Sequence, residues 1–296
     1  MAGPSRRPRA ALAARLALCC LALACRARAD DDGPLAAVPE LPFTIEARLP
    51  HDRTLFTQGI ACAGELLVES GGGYRESRLL LRRLEDPEPL QSVALPRRWF
   101  AEGVTPHQGR LYLLTWREGV AQSFSLPQLQ PLATFAYAGE GWGLTSDGTQ
   151  LVQSDGSAVL AWRDAADFSV RRRLEVRAGE RPLRQLNELE WVEGWIVANV
   201  WLSDYVVGID PASGCVMWKL ALQGLLDGHE RTRADVLNGI AWEAERKRLW
   251  VTGKLWPWLF GLRVALPPLP APAPGAAPAC AAAPGPSVPP GPASIR

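Results

Sequence analysis

Five related segments recur along the chain, and each has the form of a short strand, a turn and a second strand. The first strand opens on a polar or aromatic residue, the turn contains Gly, Asp, Glu or Gln, and the second strand is rich in Leu, Ile, Val and Trp. The segments are "TQGIACAGELLVESGG" from Thr57, "AEGVTPHQGRLYLLTWREG" from Ala101, "GWGLTSDGTQLVQSDGS" from Gly141, "NELEWVEGWIVANVWLSD" from Asn187 and "LNGIAWEAERKRLWVTGKLWP" from Leu237. Their second strands begin at intervals of 45, 40, 45 and 53 residues.

A repeat of this length, filled with short strands, is typical of a β-propeller with four-stranded blades. The sequence therefore predicts an all-β fold, a five-bladed propeller over residues 42–266. The fifth hairpin is followed by one strand, "WLFGLRVAL", while "PFTIEARLP" stands unpaired at the front. We expect this N-terminal strand to complete the last blade, which leaves no long open edge. An irregular β-sandwich is the alternative, because its strands also occur in hairpins.

The two ends of the chain differ in composition from the repeats. Residues 1–29 have a basic start, an Ala/Leu/Cys-rich stretch and a small-x-small sequence, as in a secretory signal peptide. This predicts a secreted or periplasmic protein, with lipidation at Cys25 as the alternative. We interpret residues 30–41 as a linker and residues 267–296, which are rich in Pro and Ala, as a disordered tail.

Charge and hydropathy limit the partners that the mature chain is expected to have. Residues 1–29 contain six Arg and no acid, so the rest carries 26 basic and 31 acidic residues, a formal charge of −5. This balance argues against nucleic acid and anionic membranes as partners. No later stretch approaches the roughly 20 apolar residues of a membrane span. We expect a monomer.

The cysteines and histidines indicate neither a disulfide framework nor a metal site. Outside the leader and the tail only Cys62 and Cys215 remain, far apart in the sequence. The three histidines are isolated, without the spacing of zinc ligands. We therefore expect no metal and no other cofactor.

In a propeller, the start of each first strand and the end of each second strand surround the axis on one face, because antiparallel neighbours run back past each other. The five repeats place unlike residues at these points. The opening positions are Gln58, Glu102, Trp142, Glu188 (beside Asn187) and Asn238, and the closing positions include Trp116, Asp155, Trp201 and Lys254. Each of these residues could instead have a purely structural role, since Trp often packs in a protein core and Asp after a turn often caps the backbone. Their convergence indicates a small-molecule site.

Eight motifs in this order resemble one family. They are "FTQGI", "FAEGVT", "LTW", "YAGEGWGLTSDG", "SDGS", "LNELEWVEGWIVANVW", "DVLNGIAW" and "RLWVTGKLWP". Over about residues 49–264 the chain resembles the glutaminyl-peptide cyclotransferases of the plant and bacterial type. The resemblance implies a five-bladed propeller without catalytic zinc, and an aminoacyltransferase that converts the N-terminal glutamine of peptides or proteins to pyroglutamate.

The resemblance also implies residue roles. Glu102 is implied as the catalytic acid/base. The implied substrate-binding residues are polar Gln58, Asn187 and Lys254, and apolar Trp116, Trp142, Trp201, Phe56 and Phe100. The chain departs from the family pattern at Ala101 and at Tyr74-Arg75, which puts the substrate preference in doubt rather than the reaction.

Two other functions remain open at this point. A non-catalytic periplasmic propeller would bind a peptide or sugar at the same mouth and would not need Glu102. A metal-dependent lactonase would need several carboxylates around an axial ion, for which Glu102, Glu188 and Asn238 are available.

Overall fold

The computed structural model describes residues 33–271 and 280, and within them strands dominate. Twenty strands form five four-stranded antiparallel sheets, and two more form a short hairpin. The five sheets follow one another along the chain as the blades of a propeller. The predicted all-β five-bladed propeller is confirmed.

The blades are built from consecutive strands, apart from the first strand of the chain, β1 (Phe43–Pro50). Blade 1 contains β2 (Thr57–Ala63), β3 (Leu66–Gly71), β4 (Arg78–Arg83) and β5 (Pro89–Ala94). Blade 2 contains β6 (Ala101–His107), β7 (Arg110–Thr115), β8 (Val120–Ser125) and β9 (Pro131–Ala136). Blade 3 contains β10 (Leu144–Ser146), β11 (Leu151–Gln153), β12 (Val159–Arg163) and β13 (Val170–Glu175).

After blade 3 a small hairpin is formed by β14 (Arg177–Ala178) and β15 (Arg181–Pro182). Blade 4 contains β16 (Leu186–Val192), β17 (Trp195–Val200), β18 (Tyr205–Ile209) and β19 (Val216–Ala221). A short helix, α1 (Gly228–Arg231), leads to blade 5, which contains β20 (Leu237–Glu243), β21 (Arg248–Gly253) and β22 (Trp258–Val264). Within the described residues, no helix is long and apolar enough to cross a membrane.

Strand β1 closes the ring by pairing antiparallel with β22, from Phe43 opposite Val264 to Pro50 opposite Trp258. The fifth sheet therefore has the order β1-β22-β21-β20. This confirms that the N-terminal strand completes the last blade.

Glycines allow the inner strands of neighbouring blades to approach each other around the axis. A Cβ atom placed on Gly103 would lie 2.4 Å from the backbone nitrogen of Leu144, and one on Gly143 would lie 2.0 Å from the carbonyl oxygen of Asn187. Both distances are impossible for a real side chain, so only glycine fits. The recurring pattern of a site residue followed by Gly is a packing requirement of the ring.

Large apolar side chains fill the space between blades. Trp195 and Trp218 lie in one buried cluster with Trp256 between blades 4 and 5, and Trp250 lies in another between blades 5 and 1. These four tryptophans are almost fully buried. They form the core, in contrast to the tryptophans at the mouth of the ring.

The described parts of both ends pack on the propeller. In the predicted linker, a 3-10 helix (Gly33–Leu35) precedes Val38, and the side chains of Leu35 and Val38 are buried in the apolar cluster between blades 3 and 4. In the predicted tail, Cys280 forms a disulfide with Cys215, a cross-link that the sequence analysis did not foresee. The predicted signal peptide and most of the predicted tail lie outside the described residues.

Candidate active site

A cavity of about 840 Å³ opens at the end of the ring where the first strand of each hairpin begins and the second ends. All nine residues that the sequence analysis assigned to the site line it. They are Phe56, Gln58, Phe100, Glu102, Trp116, Trp142, Asn187, Trp201 and Lys254. Its volume lies in the upper part of the 300–1,000 Å³ range of small-molecule sites.

Irregular strand pairing directs the polar side chains into this cavity. The register between the two strands of a hairpin shifts between Thr57 and Gly59, between Ala101 and Val104, and between Leu186 and Leu189. Bulges of this kind re-aim side chains at the ends of sheets. The residues within these three shifts include Gln58, Glu102 and Asn187.

Glu102 is buried in the cavity, with 5% of its surface exposed. Nε2 of Gln58 donates a hydrogen bond to its Oε1 atom at 3.1 Å. Burial raises the pKa of Glu102 well above its usual value, the charge of Lys254 opposes this shift, and the charges of Glu140 and Glu118 add to it. A carboxyl group with a raised pKa can both accept and return a proton near neutral pH.

Lys254 follows β21 and is also buried, with its Nζ atom 4.7 Å from the centre of the Phe56 ring. Burial lowers the pKa of Lys254, while the charges of Glu102 and Asp235 oppose that shift. The backbone around it is held on both sides, because the Lys254 nitrogen donates to the Val236 carbonyl and the Leu255 nitrogen to the Leu55 carbonyl. The ammonium group of Lys254 and the carboxyl group of Glu102 thus lie buried in the same cavity.

One carboxylate orients two of the indole walls. Oε2 of Glu140 accepts hydrogen bonds from Nε1 of Trp116 at 2.8 Å and from Nε1 of Trp142 at 3.0 Å. Trp142 in turn packs edge-on against Trp201, with ring centres 5.4 Å apart. Glu140 was not predicted from the sequence, although its position two residues before Trp142 in "GEGWG" was a usable signal.

Two amide oxygens in the cavity have no hydrogen-bond partner among the described residues. They are Oε1 of Gln58 and Oδ1 of Asn187, and both side chains are at least 96% buried. A buried acceptor without a partner costs about 1–3 kcal/mol. Donor groups of a bound ligand would satisfy them.

Three other residues that the repeat alignment placed at the mouth do not line the cavity. Glu188 is fully buried on the axis, where its carboxylate accepts the backbone N–H groups of Ile60 at 3.4 Å and Ile240 at 2.8 Å. Asn238 donates to backbone carbonyls of blade 1, and Asp155 accepts the N–H of Ser157 in its turn. No group of three His, Cys, Asp or Glu residues in 33–271 and 280 is arranged to hold a metal ion.

A buried ion pair stands behind the Lys254 segment. Nε2 of His51 lies 2.8 Å from Oε1 of Glu69 on β3, and Nδ1 lies 2.8 Å from the carbonyl oxygen of Trp256. Both ring nitrogens of His51 face acceptors, an arrangement that favours the doubly protonated cation. Burial by itself lowers the pKa of His51, but the charge and hydrogen bond of Glu69 and the Trp256 carbonyl raise it overall.

Comparison with known proteins agrees with this fold and this site. The model of the glutamine cyclotransferase family matches residues 14–264. A glutaminyl-peptide cyclotransferase of Arabidopsis thaliana is 36% identical over 226 residues, which cover 74% of this chain and 70% of that protein. The crystal structure of Myxococcus xanthus glutaminyl cyclase superposes with a TM-score of 0.70 at 35% identity, covering 77% of this chain and 98% of the other. The chain described here belongs to the glutamine cyclotransferase family.

Proposed function

We propose that this protein is a glutaminyl-peptide cyclotransferase that converts the N-terminal glutamine of peptides or proteins to pyroglutamate and releases ammonia. The observation that carries the proposal is the single carboxyl group of Glu102, buried among aromatic walls with a raised pKa and hydrogen-bonded to Gln58. The names of the Arabidopsis and Myxococcus relatives support the same reaction.

The reaction joins two groups of one residue. The α-amine nitrogen forms a bond to the side-chain amide carbon, the carbon–nitrogen bond of that amide breaks, and ammonia leaves. An enzyme for this step has to hold the side chain curled toward its own amine, and such orientation of reacting groups is a large source of rate enhancement. The walls of Trp116, Trp142 and Trp201 provide the shape for such a conformer.

Proton transfer is the role proposed for Glu102. Its ionised form takes the proton that the α-amine loses during attack, and the resulting acid gives this proton to the departing nitrogen. Such transfer contributes on the order of 10²–10⁴ in rate. In this proposal, Lys254 stabilises the negative charge that develops on the amide oxygen, and the unpartnered oxygens of Gln58 and Asn187 accept substrate N–H groups.

We also propose that the protein is exported and acts as a monomer. The signal-like residues 1–29 support export, and so does the Cys215–Cys280 disulfide, since disulfides persist mainly in oxidising compartments. The processing of a tagged full-length chain, followed by fractionation of cells and size-exclusion chromatography, tests both points. An uncleaved cytosolic chain would contradict export, and a stable dimer would contradict the monomer.

The activity is tested by incubating the protein with a short peptide that begins with glutamine and following ammonia release, with mass spectrometry of the product. We expect turnover by the wild type in the presence of EDTA, and a loss of about 10²-fold or more for Glu102→Gln. Glu65→Gln, in the turn at the far end of the blade 1 hairpin, is the matched control. Binding of the peptide without turnover would favour the non-catalytic propeller instead.

A further inference from the structure

The cavity continues beyond the nine predicted residues, and the rest of its lining lies on one side. This lobe is formed by the link between β3 and β4, together with the segment that precedes β2. Its main residues are Thr54, Gly71, Gly72, Gly73, Glu76 and Arg78.

Gly71, Gly72 and Gly73 contribute only backbone to the lining of the lobe, and Gly72 packs against Phe100 and Gln58. A Cβ atom on Gly72 would lie 2.4 Å from the Phe100 ring and 2.8 Å from Cγ of Gln58, the residue whose amide is bonded to Glu102. Gly73 follows with φ of +126°, a conformation that favours glycine. Gly72 and Gly73 thus line the cavity with backbone alone, next to Gln58.

Of the two charged side chains in the lobe, Arg78 has an ion-pair partner and Glu76 has none among the described residues. Nη2 of Arg78 donates to Oδ2 of Asp52 at 2.9 Å and to Oγ1 of Thr54 at 3.1 Å, so its charge is paired. Glu76 forms no ion pair or hydrogen bond through its carboxylate within residues 33–271 and 280. Its Oε2 atom would lie 3.7 Å from a Cβ atom on Gly73, which places the carboxylate over the glycine floor.

We propose that this lobe binds the residues that follow the N-terminal glutamine, and that Glu76 makes the enzyme prefer a basic residue there. The inference rests on the proposed function, which puts the glutamine itself between Glu102 and the indoles. An extended chain advances about 3.3–3.6 Å per residue, so a peptide leaving the catalytic end over Gly72 and Gly73 brings its second or third residue to Glu76. A Lys or Arg side chain pairs with the free carboxylate, and an acidic side chain is repelled.

The test compares kcat/KM of ammonia release for the peptides Gln-Lys-Lys-Ala, Gln-Ala-Ala-Ala and Gln-Glu-Glu-Ala, which vary both the second and the third residue. At low ionic strength we expect the wild type to prefer the lysine peptide over the glutamate peptide by about fivefold, as for a solvent-exposed ion pair, and high salt to reduce this ratio. Glu76→Gln is expected to bring the ratio close to one, and Glu76→Lys to reverse it. Glu65→Lys, an equal charge change at the other end of the same blade, keeps the wild-type order.

Each ratio is taken within one variant, so differences in folded fraction cancel. A wild type that cyclises all three peptides equally, or a Glu76→Lys variant that keeps the wild-type order, overturns the inference while leaving the proposed function intact. If the wild type releases no ammonia from any of the three peptides, the proposed function fails instead.

Discussion

Gln58 and Glu102 join two blades through a hydrogen bond inside the cavity, from Nε2 of the amide to Oε1 of the carboxylate at 3.1 Å. Each residue lies within a register shift of its own strand, and each is followed by a glycine of the ring. A hydrogen bond to the ionised form of a carboxyl group favours that form. Burial raises the pKa of Glu102, and from this principle we expect the hydrogen bond of Gln58 to oppose that rise.

The first prediction concerns Gln58→Leu. Loss of the donor is expected to raise the pKa of Glu102 further and to reduce kcat/KM by roughly tenfold to a hundredfold, since hydrogen bonds to charged groups contribute about 1.5–3 kcal/mol. Ammonia release measured from pH 5 to pH 9 checks both effects. Gln223→Leu, an exposed site far from the cavity, is the control, and an unchanged pH profile in Gln58→Leu would count against the hydrogen bond.

Lys254 gives a second prediction about the same carboxyl group. Its positive charge lowers the pKa of Glu102, so Lys254→Met is expected to move the acidic limb of the kcat/KM profile to higher pH, in addition to lowering the rate. The substrate amine titrates identically in both proteins, so the difference between the two profiles reports the enzyme group. A limb that moves to lower pH would contradict the assignment of Glu102 as the base.

Glu140 is predicted to act in two separable ways. Its negative charge raises the pKa of Glu102, and its Oε2 atom holds the indoles of Trp116 and Trp142. Glu140→Gln removes the charge but keeps an acceptor oxygen, so we expect the acidic limb to move to lower pH with a small change in KM. Glu140→Leu removes both and is expected to raise KM by about tenfold as well, because two part-buried indole N–H groups lose their partner. Equal KM values in the two variants would disprove the positioning role.

The buried pair of His51 and Glu69 predicts a dependence of stability on pH. The pKa of His51 is raised above 6.5, so its contribution is complete below that value and is lost as pH rises through the raised pKa. The pKa of Glu69 is lowered below 4.5, despite burial, because His51 pairs with it, so its contribution is present above 4.5 and is lost as pH falls through the lowered pKa. The pair is therefore most stabilising between about pH 4.5 and 6.5.

Replacing His51 with Ala tests that window. The variant leaves Glu69 buried without its partner, which costs about 3–5 kcal/mol of unfolding free energy at pH 6. Urea unfolding at pH 6 and pH 9 is the measurement, and we expect the gap between wild type and variant to narrow at pH 9. The exposed His229→Ala serves as the control. A gap of equal size at both pH values would show that His51 does not lose its charge between pH 6 and pH 9.

The sequence predicted the blades and most of the cavity because both follow from local patterns. Strand, turn and strand lie within about 20 residues of each other, and the first position of each hairpin faces the mouth in a simple repeat. The position of Glu188 could not be predicted from the repeat. The register shift between Leu186 and Leu189 sends Asn187 to the cavity and leaves Glu188 on the axis, and a bulge of this kind has no clear mark in a single sequence.

Contacts between blades were the other part that the sequence did not reveal. Glu140 reaches the indole of Trp116, 24 residues earlier, and Cys280 pairs with Cys215 across 65 residues. The glycine-floored lobe was also missed, because "SGGGY" offers no side chain to assign to a site. Such features depend on distances between elements, which periodicity does not encode.

The pairing of β1 with β22 has a consequence for biosynthesis. Strand β1 is synthesised early, but it cannot pair until its partner β22 has been translated, near residue 264. Pairing between strands so far apart in the sequence is slow to form. A nascent chain that stops after residue 250 has no β22 and lacks Lys254, so it is expected to release no ammonia. The nascent chain therefore becomes able to catalyse the reaction only when β1 pairs with β22.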